Sequence, residues 1–136
     1  MKYLLDTNVC IGYLNGKSEK IIRMLKSTAP KDVVICSVVK AELFLGAYKS
    51  NFPDKTYAKL INFLDMFRTL PFDDKSADMF GRIRSELEKA GIPIGPYDFQ
   101  IASIALVHDL ILVTHNAKEF SRIKGLKTED WEKTVA

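Results

Sequence analysis

The chain of 136 residues is 47% hydrophobic and 27% charged, the balance of a folded protein with a full core and not of a disordered one. Its length predicts a single domain over residues 1–136. No apolar run approaches the ~18 residues of a membrane span, the opening run is too short for a signal peptide, and Cys10 and Cys36 make neither a disulfide framework nor a zinc quartet; a reducing cytoplasm is the expected compartment.

Strands and helices are expected in alternation. Tyr3, Leu4 and Leu5 form an unbroken apolar triplet, as in a strand covered on both faces of a parallel sheet. Asp6 follows without a loop, at the rim where open α/β sheets place their ligands. The same carboxylate would also serve as a cap for a short helix over Val9–Leu14 that ends near Asn15-Gly16. Ser18 suits the cap of a second helix, with Ile21, Ile22 and Leu25 on one face and Pro30 beyond its end. Val33–Cys36 predicts the second strand, and Ser37 the cap of a helix reaching about Lys49. After Asn51-Phe52-Pro53, Asp54 opens a helix striped by Tyr57, Leu60, Ile61, Leu64 and Phe67.

Leu70-Pro71-Phe72 predicts a poorer strand at an edge, because Pro71 cannot donate to a ladder. The next helix would turn Ala77, Phe80, Ile83, Leu87 and Ala90 inward and stop at Gly91. Ile92–Pro96 is a stiff turn before a helix from about Tyr97 to His108. Leu110–Thr114 predicts a strand, Glu119–Arg122 one helical turn, and Leu126–Thr128 a last strand, with Trp131 packing at the end. This alternation argues for a three-layer α/β/α sandwich around a mainly parallel sheet.

Four acids stand out. Asp6 lies at a strand end, and Glu42 lies among the apolar residues of Val38–Tyr48, too far from Ser37 to complete a capping box. Asp98 falls in the first turn of its helix, and Glu119 comes just after the rim residues Thr114, His115 and Asn116. Each has a plainer role available: a cap, a helix-dipole acid or a solvated surface group. Thr114 and Asn116 could hold a water or a phosphate oxygen, or simply close the turn. Gathered together, the acids would suit a hard divalent cation such as Mg²⁺ or Mn²⁺, which takes oxygen ligands and activates water. His108 and His115 are too few for zinc; His108 suits a helix end and His115 the solvent-facing edge of the site. Setting four acids aside would leave a surround more basic than the net +3, as a polyanion would require.

LLDTN at 4–8, Glu42 within AELFLGA, GIPIGPYDFQIASIA at 91–105, LVTHNAKEF at 112–120, Gly125-Leu126 and Asp130-Trp131 resemble the PIN-domain ribonucleases, and among them the VapC-type toxins of toxin–antitoxin pairs. The resemblance runs almost from end to end. It implies a PIN-like fold and Mg²⁺-dependent endonuclease activity on structured RNA such as tRNA. It also implies a VapB-type antitoxin partner and a homodimer. Asp6, Glu42 and Asp98 match the family's three most regular acids, whereas Asn116 stands where many members have an acid, with Glu119 three residues on. Asp6, Asp98 and Glu42 would hold metal, with Asn8, Thr114, Asn116 and Glu119 around them. Two other classes compete: a catalytically silent PIN-like module that binds RNA or protein, and an aspartyl phosphatase, whose second Asp the DTN at 6–8 lacks. The aromatic surplus at Phe44, Tyr48, Tyr57, Phe63 and Phe67 suggests a groove for an amphipathic antitoxin segment and a dimer face.

Overall fold

Three β-rich or aliphatic runs set the middle of the molecule. In the computed structural model, which describes residues 1–133, they are β1 (Tyr3–Leu5), β2 (Val33–Cys36) and β4 (Ile111–Val113), joined by edge strands β3 (Arg68–Leu70) and β5 (Lys127–Glu129). The order is β3-β2-β1-β4-β5 and every pairing is parallel. Leu4, Leu5, Leu112, Val113 and all four residues of β2 are buried, since helices cover both faces. Each such side chain contributes on the order of 1.5–3 kcal/mol on burial.

The helices are α1 (Thr7–Leu14), α2 (Glu19–Lys26), α3 (Ser37–Tyr48), α4 (Pro53–Leu64), α5 (Asp74–Lys89), α6 (Pro96–Val107) and the single turn α7 (Ala117–Phe120). The three-layer sandwich expected from the alternation is therefore present. From β1 the chain builds outward to β2 and β3, then returns to the other side of β1 for β4 and β5. The direction of growth reverses between β1 and β4, and at such a switch point the loops leave in opposite directions and open a crevice. Asp6 and Thr114 are the residues that follow these two strands.

Several local expectations shift. Ser37 does not cap α3; β2 runs straight into the helix with Cys36 at the cap position, and Ser37 Oγ accepts the Phe72 N–H at 3.1 Å. That bond ties α3 to the chain leaving β3. The third strand lies at Arg68–Leu70 and ends before Pro71, on the edge that proline requires. The last strand is Lys127–Glu129, one residue later than expected. Pro53 occupies the first turn of α4 ahead of Asp54. In α5 Ile83 and Leu87 are buried and Phe80 packs on Phe72 and Phe99 as expected, Ser76 is buried as well, and Ala77 and Ala90 are exposed. Asp73 caps the helix, its carboxylate accepting the Ser76 N–H at 2.9 Å, and Ser76 rather than Ala77 is the buried residue of the first turn. Phe63 and Phe67 belong to the core: Phe63 packs on Tyr13 at 5.1 Å and on Phe67 at 5.2 Å between ring centroids. Trp131 is buried edge-on against Tyr3, as its terminal position suggested. No helix is long and apolar enough to cross a membrane among the described residues.

Candidate active site

Asp6 owes its position to two neighbours in the chain. Its backbone N–H donates to the Val113 carbonyl at 3.0 Å, extending the β1–β4 ladder by one residue. Its side chain turns back to cap α1, with Oδ1 accepting the Thr7 N–H at 2.7 Å. The cap role and the rim position thus coexist. The other oxygen, Oδ2, accepts the Thr114 hydroxyl at 2.8 Å across 108 positions of sequence. Burial pushes the Asp6 carboxyl above its ordinary range, and the bonds from Thr114 and Thr7 pull it back down.

A chain of bonds spreads from there. The Asn116 N–H donates to Thr114 Oγ1 at 3.0 Å, and the Asn116 side-chain amide donates to Glu119 Oε2 at 3.1 Å. On the other side Thr7 Oγ1 donates to Glu42 Oε1 at 2.8 Å. Thr7 was not singled out from sequence. Its hydroxyl acquires a role only once α3 packs on α1, and its one local signal is a hydroxyl beside Asp6. Asp98 enters from the first turn of α6, where the helix dipole favours a charged carboxylate. Even so, its carboxyl is pushed up to about 6, first by burial and then by the charges of Asp6, Glu119 and Glu42. Asp98 thus lies within the field of the other three acids. Asn8 is the outlier: it is exposed and lines a cleft beside Glu42, with no side-chain hydrogen bond among the described residues.

The donors offered are all oxygens, which fits a hard divalent ion that keeps several waters and takes one or two carboxylates. Cys10 and Cys36 are buried, and burial raises both thiols, Cys36 to about 11. Neither is an available thiolate nucleophile. A separate cluster lies at the chain's far end: among the described residues, His115, Asp130 and Glu132 bring potential ligand atoms within 4.8 Å of one another. There His115 Nδ1 sits 3.0 Å from Asp130 and 3.1 Å from Glu132, so this exposed histidine is engaged and not simply facing solvent. His108 closes the end of α6 as expected.

The PIN-domain family model matches residues 3–126. The tRNA(fMet)-specific endonuclease VapC of Shigella flexneri is 39% identical over 131 residues, covering 96% of this chain and 98% of that protein. The chain belongs to the PIN-domain family, in its VapC ribonuclease branch. Ribonuclease VapC2 of Rickettsia felis is 38% identical over 134 residues, 98% of this PIN-domain chain and all of the relative. Among solved structures, the DNA-bound VapBC of Salmonella typhimurium superposes with a TM-score of 0.91 at 38% identity, covering 96% of this chain and 98% of that one. The family match and the relatives establish the PIN fold of this VapC-family chain, and Asp6 and Thr114 stand at the crevice between β1 and β4.

Proposed function

We propose that the protein is an endoribonuclease toxin that works with a divalent cation, and that Asp6, Glu42, Asp98 and Glu119 form its site. The observation that carries this is the hydrogen-bonded run from Asn116 through Thr114, Asp6 and Thr7 to Glu42, with Asp98 facing the same charges. Asp6 and Asp98 would hold Mg²⁺ or Mn²⁺, and Glu42 a water or a second ion. When bound, the ion supplies activation of water and neutralises charge on the attacked phosphate. The Thr114 and Thr7 hydroxyls orient the Asp6 and Glu42 carboxylates by donating to them. Glu119 fills the fourth acidic position, and the Asn116 amide orients it.

Attack by water at phosphorus, with departure of the 3′-oxygen, leaves 5′-phosphate and 3′-hydroxyl ends. A tRNA, the substrate class in the name of the Shigella relative, is the first substrate to try. Cleavage should stop in EDTA and return with Mg²⁺ or Mn²⁺. A 2′,3′-cyclic phosphate product would overturn the mechanism, and intact RNA under all conditions would favour a silent binding module.

An amphipathic antitoxin segment and a second copy of the chain are the partners we assign. The surface for the former is narrower than the aromatic count suggested. With Phe63 and Phe67 in the core, the rings left for it are the stacked Phe44, Tyr57 and Tyr48. The cytoplasm is the compartment in which RNA and such a partner would be met.

A further inference from the structure

Beside the acids, a cleft of about 490 Å³ opens between the start of α1, the middle of α3 and the start of α6. Its wall shares Thr7 and Glu42 with the acid cluster, and Tyr97 on its rim directly precedes Asp98. Ile11, Leu45 and Tyr97 are large apolar side chains left 43%, 60% and 58% exposed. Tyr97 stands apart from the molecule's other exposed tyrosines. Tyr48 and Tyr57 pack on one another at 5.6 Å, whereas the Tyr97 ring has no aromatic neighbour among the described residues. Asn8 and Gln100 bring two amides to the same cleft, and neither side chain makes a hydrogen bond among the described residues. No lysine or arginine lines it.

These features choose an occupant. A phosphate would find no cation here, and Glu42 would repel it. A flat, neutral, partly apolar group with hydrogen-bonding edges fits: a ring to stack on, apolar side chains in the same cleft, and amides that donate and accept. Unpaired nucleobases are recognised by stacking on aromatics and by bonds to their edges. We propose that this cleft is a nucleobase subsite, in which Tyr97 stacks on the base flanking the cut phosphate and Gln100 reads its edge. The proposal rests on the ribonuclease reading and deepens it, since it says how a chain with an unspecific acid cluster would choose where to cut.

The test uses the full chain and a short single-stranded RNA carrying 2-aminopurine, bound in EDTA so that cleavage plays no part. Fluorescence should be quenched by the parent and by Tyr97→Phe, but not by Tyr97→Ala. With Mg²⁺, Tyr97→Ala should raise KM on the order of ten-fold, the scale of one lost stack, while kcat and the Mg²⁺-induced rise in Tm stay near the parent's. Cutting a randomised RNA pool and sequencing the 5′ ends should show a base preference beside the cut that Tyr97→Ala flattens, Tyr97→Phe keeps and Gln100→Ala alters. Equal quenching by all three proteins would overturn the subsite. So would an unchanged KM in Tyr97→Ala accompanied by weakened binding of a co-purified protein partner, which would give the cleft to that partner. Failure of the ribonuclease reading looks different: no cut RNA and no Tm response to Mg²⁺ in the parent itself.

Discussion

Asp98 carries two opposing demands at once. A helix start welcomes its negative charge, while burial and three like charges resist it, and the resistance prevails with the carboxyl at about 6. The folded state therefore holds this proton more tightly than the unfolded chain does. That contribution to stability is fully present below the ordinary carboxylate value of 3.8 and is lost as pH rises through about 6. Metal-free protein should accordingly melt lower at pH 7.5 than at pH 5, and Asp98→Asn should remove much of that difference. The same variant should be at least as stable as the parent in EDTA at neutral pH. It should gain little from Mg²⁺, where the parent gains about 2.7 kcal/mol at 100 times the dissociation constant. An Asp98→Asn protein that melts lower in EDTA yet responds to Mg²⁺ like the parent would remove Asp98 from the site. Thr114→Val tests the neighbouring bond. The hydroxyl is fully buried and donates to a charged oxygen, an interaction of about 1.5–3 kcal/mol. Its loss should raise the Asp6 carboxyl further and weaken Mg²⁺ binding about ten-fold or more, measured by calorimetry.

At the scale of elements, α3 and α4 divide their aromatics between core and surface. Phe63 and Phe67 face inward, and Phe44, Tyr48 and Tyr57 stack along the outside. Hydrogen exchange on a complex with the cognate antitoxin should show protection across residues 38–68, concentrated where these rings lie. A complex with no added protection there would place the partner elsewhere. Which elements were legible in the sequence follows from burial. β1, β2 and β4 are covered on both faces and so read as continuous apolar runs. β3 and β5 are edge strands carrying Arg68, Lys127 and Glu129, and polar edges have no such signature, so their bounds slipped by one or two residues. Asp6, Glu42, Asp98 and Glu119 stood out in the sequence as acids at strand ends, in an apolar helix or at a helix start. In the fold Asp98 feels the charges of the other three. Thr7 did not stand out, because its partner lies 35 positions away on another helix. Nor did the His115, Asp130 and Glu132 cluster, which forms where the turn after β4 meets the turn after β5.

For the molecule as a whole, β1 is the first strand made and the middle strand of the finished sheet. Asp6 waits at its end for a hydroxyl that arrives 108 residues later, with β4. Contacts that span such sequence separation form late, because the intervening loop must close before they are rewarded. A ribosome-bound chain that has not yet released Thr114 accordingly holds its acids without the frame that aims them. The enzyme would remain inert through most of its own synthesis, and would become dangerous to the cell's RNA only as its last strands dock. An inhibitor made alongside it thus has the whole of that interval in which to be ready.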